Sequence, residues 1–121
     1  MIKIPVSLGE LYDKITILEI KVQNLNDPVK AKNALKELLL LKKIAEDHPI
    51  DPSYKAELYG INLNLWVIED RIRALEEEKR FDDEFLETAR SVYICNDDRS
   101  NIKRTINIEY KSELIEEKSH D

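Results

Sequence analysis

Apolar residues recur at alternating spacings of three and four along most of the chain, and this period constrains the fold more than any other feature. Such heptad seams are typical of long amphipathic α-helices that pack against one another. Only two glycines and four prolines are present in 121 residues, so few positions interrupt the helices. The sequence therefore predicts an all-α, antiparallel bundle of four long helices, or five if the last one breaks. The clearest seam comprises Leu8, Leu11, Ile15, Leu18, Val22 and Leu25.

Capping signals place the helix boundaries. Ser7 and Glu10 have the spacing of a capping box, which starts helix 1 near Leu8 and leaves residues 1–6 as a short extended segment. An aspartate followed by proline is a helix-start signal, and it occurs twice, at Asp27-Pro28 and Asp51-Pro52. The expected ranges of helices 1 to 3 are 8–25, 28–46 and 53–79.

Helix 4 is the least regular element. It is expected to begin near Asp82 or Asp83 and to extend as far as Lys118. Its heptad positions turn polar after Val92, so the alternative is a break at Asn96-Asp97-Asp98 and a fifth helix beyond it. Arg99 falls on the inward arc of the helix in either register.

Helix 1 carries a second stripe on roughly the side opposite its seam. A helix that is apolar on two sides is usually sandwiched between neighbours. We therefore expect helix 1 to be central to the core, or to contact both its own bundle and a second subunit. The second stripe comprises Asp13, Ile17, Ile20 and Asn24, and helix 3 has a comparable aromatic stripe of Tyr59, Leu63 and Trp66.

Composition excludes several classes of protein. The formal net charge is −6, which argues against generic nucleic-acid binding, since that requires a basic field. The single cysteine, Cys95, cannot form an intrachain disulfide. No signal segment precedes helix 1, and the longest apolar run, Leu38 to Leu41, is far too short to span a membrane. We expect one cytoplasmic domain over residues 1–121 that binds neither membrane nor nucleic acid.

A band of polar residues on helices 1 and 4 is the best candidate site. In an up-down bundle the first and last helices are antiparallel neighbours, so their polar residues should meet. Cationic side chains there would form a notch for a phosphate or carboxylate. The alternative is a set of interhelical ion pairs that fix the helix register. The tentative anion site is Lys14, Arg99, Lys103 and Arg104, with Asp13, Glu19, Asn96, Asp97 and Asn107 as supporting polar residues.

The remaining motifs favour no catalysis and no cofactor. His48 and His120 lack metal-ligand spacing, and neither is near Cys95 in sequence to act as its base. Gly9 lies near the start of helix 1, where free amides can bind anions, but Ser7 and Glu10 are expected to occupy those donors.

Residues 4–21, IPVSLGELYDKITILEIK, resemble the opening signature of a family of small bacterial proteins of unknown function. The resemblance continues through most of the chain, and it implies an all-helical fold and no established activity. It further implies a genomic context near surface-glycan synthesis, which indicates no chemistry. The later matching segments are Asn96-Asp97-Asp98-Arg99, Lys103-Arg104, Ile106-Asn107 and Glu116-Glu117-Lys118-Ser119.

Two functions follow from these patterns. The first is a non-catalytic helical module that self-associates, as a homodimer, and docks on another protein, because its two-sided helix 1 and aromatic stripe require cover. The second is a small enzyme or sensor that binds an anionic metabolite at the polar band between helices 1 and 4, in surface-glycan metabolism.

Overall fold

Four α-helices account for the fold in a computed structural model of the protein, which describes residues 1–118. No strand occurs in that range, so the all-α class is confirmed. Ser119 and His120 lie outside the described residues. None of the helices within 1–118 combines the length and apolar character needed to cross a bilayer. The helices are α1 (Leu8–Asn24), α2 (Pro28–Ala45), α3 (Pro52–Glu77) and α4 (Asp83–Glu109).

The helix starts follow the capping signals. The Ser7 hydroxyl accepts the Glu10 amide at 3.1 Å, and Asp27 and Asp51 cap the helices that open with proline. Only half of the predicted capping box forms, because the Glu10 carboxylate pairs with Lys103 on α4 instead. The start of α1 is therefore fixed by a local cap and by a contact across the fold.

The alternative in which helix 4 breaks at Asn96-Asp97-Asp98 is wrong, since α4 is continuous through these residues. Its extension to Lys118 is wrong as well. The helix ends at Glu109, and Lys111 then takes a positive φ of 52°. Its neighbour Ser112 donates its amide to the Asn107 carbonyl at 2.8 Å, as in a Schellman-type helix end. This turn sends the C-terminal segment, residues 111–118, back along α4.

Helix α1 is the centre of the molecule. It contacts α2, α3 and α4, whereas α2 contacts α1 but neither α3 nor α4. Its second side is covered within the same chain, where Asp13 and Ile20 are buried against α3 and α4. Of the two alternatives for helix 1, the central position in its own core is the one observed. The buried cluster around its heptad seam comprises Leu11, Tyr12, Ile15, Leu18, Ala34, Leu38, Leu58 and Ile106.

The N-terminal end of α1 lies directly against the backbone of α4. A β-carbon added to Gly9 would stand 2.6 Å from the Lys103 carbonyl oxygen and 3.0 Å from the Lys103 α-carbon. Both atoms belong to a helix backbone, which cannot move aside as a side chain can. Gly9 therefore permits the close approach that brings the polar residues of α1 and α4 together.

This contact predicts opposite effects for the two glycines. Gly9→Ala should lower the free energy of unfolding by about 1–3 kcal/mol, because it overpacks a rigid contact. Gly60→Ala is the matched control, since an added β-carbon there meets nothing within 4 Å. It should raise stability by about 0.4–1 kcal/mol through the unfolded chain. Urea unfolding of both variants is the measurement, and equal effects would contradict the close approach.

Candidate functional site

Lys103 forms the most buried ion cluster of the described residues. It projects from α4 toward α1, and only 9% of its side chain is exposed. Its ammonium nitrogen lies 2.7 Å from Glu10 Oε2, 2.6 Å from Glu116 Oε1 and 3.8 Å from Asp13 Oδ2. Glu10 and Asp13 share a face of α1 because they are three residues apart. The cluster thus joins α1, α4 and the C-terminal segment at a single cation.

The contacts within this cluster shift the pKa values of Lys103 and Glu116. Burial is the largest single effect on Lys103 and by itself lowers its pKa. The hydrogen bonds to Glu10 and Glu116 and the charges of Asp13 and Glu10 outweigh it, so the Lys103 pKa lies above its ordinary value. The hydrogen bond from Lys103 in turn lowers the pKa of Glu116. An incoming anion would meet three carboxylates at Lys103, so this lysine serves as an internal counter-ion.

Asn62 extends the polar contacts from α1 to α3. Its side-chain amide donates to Asp13 Oδ1 at 2.8 Å and to Thr16 Oγ1 at 2.9 Å, and its side chain is buried. Sequence analysis missed this residue. The signal was present, because Asn62 follows Leu58 by four residues and so lies on the inward arc of helix 3. A polar residue on an otherwise apolar arc indicates a buried hydrogen bond.

Arg99 lies beside Asn62 and lines a cleft of about 420 Å³ between α1, α3 and α4. Its guanidinium donates to Asn62 Oδ1 at 3.4 Å. Within residues 1–118, no carboxylate oxygen lies within 4.0 Å of it. Its charge does act at longer range, where it helps to lower the pKa of Glu116. The other lining residues are Ile17, Ile20, Asn62, Leu65, Trp66, Glu69, Asp70 and Arg73.

The other cations of the tentative anion site lie apart from this cleft. Lys14 is exposed on α1. Arg104 pairs with Glu117 at 2.9 Å on the surface, where such a pair contributes little. The four cations proposed from sequence are therefore not gathered at one place, and Arg99 is the one that faces a cavity.

Some of the supporting polar residues are buried between α1 and α4, and the others lie elsewhere. Asp13 and Asn107 are buried between α1 and α4, whereas Asp97 pairs with Lys118 on the surface side and Asn96 is half-buried. Glu19 does not face α4. Its carboxylate lies 3.1 Å from Lys55 on α3 and 3.9 Å from Lys42 on α2, because position 19 turns away from the arc that holds Asp13.

The N-terminal amides of α1 are occupied. The Gly9 amide donates to Asn107 Oδ1 at 2.7 Å, and the Leu8 amide donates to the Ser112 hydroxyl at 3.1 Å. Neither acceptor was foreseen from sequence, which assigned these donors to Ser7 and Glu10. Across residues 1–118, no group of three His, Cys, Asp or Glu side chains is arranged to hold a metal ion. Cys95 is a half-buried free thiol.

Similarity to known proteins identifies the family of this chain. Residues 2–121 match the model of DUF6165, a family of unknown function, so the chain belongs to that family. Comparison with curated proteins gives no match. Comparison with solved structures gives none either.

Removal of the Lys103 ammonium should destabilise the fold strongly. Lys103→Met leaves three carboxylates facing one another in a mostly buried place, and breaking a buried pair in this way costs about 3–5 kcal/mol. Arg104→Met is the matched control on the next residue of α4, where the pair is exposed and worth about 0–1 kcal/mol. Urea unfolding separates the two, and a loss below about 1 kcal/mol for Lys103→Met would contradict the cluster's structural role.

Glu116 should give the fold a measurable pH dependence. Its lowered pKa means that its carboxylate stabilises the fold above the ordinary glutamate pKa, about 4.3, and that this contribution disappears as the pH falls through the lowered value. Glu116→Gln should therefore reduce stability at neutral pH by less than about 1 kcal/mol, since the side chain is half exposed.

The difference between wild type and Glu116→Gln should vanish in acid. The check is denaturant unfolding of both proteins between pH 7 and about pH 3. Glu117→Gln is the control, because Glu117 is more exposed and, among residues 1–118, pairs only with Arg104 on the surface. A loss that is equal at every pH would show that Glu116 acts through packing and not through its charge.

Proposed function

We propose that this chain is a non-catalytic helical module that forms a homodimer through the outward face of α2. The supporting observation is that four large aliphatic side chains within ten residues of α2 are 41–59% exposed. A single exposed leucine is ordinary, but several on one helix indicate an interaction surface. Because α2 contacts only α1 among the helices, no other element covers them. They are Leu35, Leu39, Leu40 and Ile44.

The reason for self-association differs from the one inferred from sequence. On the second side of α1, which was expected to need a partner, Asp13 and Ile20 are buried by α3 and α4 of the same chain, whereas Asn24 is exposed. In the aromatic stripe of helix 3, the Tyr59 hydroxyl donates to Gln23 and Trp66 lines the cleft. Leu63 of that stripe is 37% exposed, less than each of the four aliphatic side chains on α2, so α2 carries the larger apolar surface that requires cover.

Charge indicates which surface of the second copy meets α2. This helix carries five lysines and one glutamate, so two α2 helices face to face would repel each other. The acidic end, defined as residues 76–87 where α3 and α4 join, carries seven acidic and two basic residues. It also exposes Phe81 and Leu86 by more than half. Opposite charge and exposed apolar groups on both surfaces favour docking of α2 on the partner's acidic end.

Location and assembly complete the proposal. The single cysteine favours a reducing, cytoplasmic setting, and the family resemblance implies a bacterial protein. The heptad seams favour an antiparallel bundle with coiled-coil-like packing between its helices. A module of this kind acts by assembly with itself or with a further protein and needs no cofactor.

Binding of an anionic metabolite is the second candidate function. Lys103 is neutralised by three carboxylates, and Lys14 and Arg104 lie elsewhere. The position of Arg99 nonetheless favours this candidate. Arg99 faces a cleft, and no carboxylate oxygen of residues 1–118 lies within 4.0 Å of it. This candidate includes a role in surface-glycan metabolism, as the family resemblance implies.

Substitution on α2 should dissociate the dimer. Leu39→Glu places a carboxylate in the proposed interface, and light scattering after gel filtration at micromolar concentration should show a shift from dimer to monomer. Val67→Glu is the matched control, because Val67 on α3 is 59% exposed, as Leu39 is. It should remain dimeric.

Salt and charge reversal test the assignment of the partner surface. The wild-type dimer should weaken with added salt, which screens exposed charges. Lys36→Glu and Asp83→Lys should each weaken it, and their combination should restore it. A monomeric wild type, or dissociation by Val67→Glu as readily as by Leu39→Glu, would overturn the proposal.

A further inference from the structure

We propose that the cleft beside Arg99 binds a small molecule in which one oxyanion, a carboxylate or a phosphate, is joined to a planar apolar ring. This inference rests on the second candidate function above and names its site and its ligand class. It depends on the geometry of Arg99, on the apolar wall of the cleft and on the charges at its rim.

Arg99 provides the anion-binding end. A guanidinium has five N–H donors in a planar fork that matches carboxylate and phosphate oxygens. The hydrogen bond to Asn62 uses one of them, and within residues 1–118 no carboxylate oxygen within 4.0 Å takes another. Asn62 is itself held by Asp13 and Thr16. Its carbonyl oxygen therefore sits at a fixed place and orients the guanidinium toward the cleft.

The wall next to Arg99 is apolar and includes an aromatic ring. Ile17 and Ile20 come from α1, and Leu65 and Trp66 come from α3. An indole offers a large planar face on which another ring can stack. The cleft volume, about 420 Å³, falls within the range of sites that bind small molecules. A ring that stacks on Trp66 would bring an attached oxyanion to the Arg99 end.

The rim limits the ligand to a single anionic group. Glu69, Asp70 and Arg73 line it, and Arg73 is paired with Glu69 at 3.7 Å. Within residues 1–118, no cationic group lies within 4.0 Å of the Asp70 carboxylate. Asp70 lies eight residues, about 12 Å, along α3 from Asn62, which contacts Arg99. A second anionic group on the ligand would be repelled there, whereas a hydroxyl or amino group would find an acceptor.

The test uses four probes and the emission of Trp66, the single tryptophan of the chain. Benzoate and phenyl phosphate carry both the ring and the oxyanion. Benzyl alcohol has the ring without the charge, and inorganic phosphate has the charge without the ring. Titration should give a saturable change in Trp66 emission with benzoate or phenyl phosphate, and binding at least tenfold weaker with the other two. Comparison of the two anionic probes shows which oxyanion the cleft prefers.

Arg99→Gln and Asp70→Asn test the site, with Arg104→Gln as the control. Arg99→Gln should weaken binding of the anionic probes by tenfold or more, because hydrogen bonds to a charged partner are lost. Arg104→Gln is the matched control on the same helix and should leave binding unchanged. Asp70→Asn removes the rim charge at an exposed position, so the fold should be intact. It should strengthen binding of phenyl phosphate more than of benzoate, because phenyl phosphate carries more charge.

Three outcomes would overturn the inference. Binding that survives Arg99→Gln would place the anion elsewhere and leave the second candidate function standing without this cleft. Binding that Asp70→Asn does not change would show that the ligand does not reach the rim. No binding of any of the four probes would overturn both the cleft and the second candidate function.

Discussion

The rest of the structure depends on the burial of one ammonium group among three carboxylates. Lys103 on α4 takes Glu10 and Asp13 from α1 and Glu116 from the C-terminal segment. Placing a charge in a mostly buried position is costly unless it is paired, so these elements must meet in one register. The close approach at Gly9 makes the meeting possible, because a side chain there would collide with the α4 backbone. The turn after Glu109 completes it by returning Glu116 to α4.

Lys103 and Arg104 of the polar band are paired with carboxylates, and Arg99 differs from them. Three carboxylates surround Lys103 and repel an external anion, which argues against Lys103 as part of an anion site. Arg99 is only one turn away on the same helix and is in the opposite situation. It contacts an amide oxygen, faces a cleft and lacks a near carboxylate among residues 1–118. Two neighbouring cations on one helix face thus have different surroundings, one among carboxylates and one beside a cleft.

α2 differs from α1 in how far its apolar side chains are covered. α1 contacts all three other helices, so most of its two apolar stripes is covered within one chain. α2 packs on α1 with a narrow stripe of Ala34 and Leu38 and leaves large aliphatic groups beside its lysines. A basic and apolar surface on one element and an acidic and apolar surface at residues 76–87 give the molecule complementary ends.

The sequence by itself determined the class of fold and most of the helix boundaries, and it left the number of helices at four or five. Heptad spacing and caps are local signals, and they act within a few residues of where they are read. They also placed Arg99 on an inward arc. They could not show that α4 continues through Asn96-Asp97-Asp98, because the helix there is supported by its packing against α3.

Only the tertiary structure decided the partners of the polar residues. Glu10 was assigned to a cap and binds Lys103 instead, Glu19 pairs with α2 and α3, and Asn62 was missed. The physical reason is that charged side chains are long and choose among partners from different helices, which periodicity within one helix cannot rank. Sequence gave each helix its inward face, and packing decided which inward charges are neutralised and which, like Arg99, face a cavity.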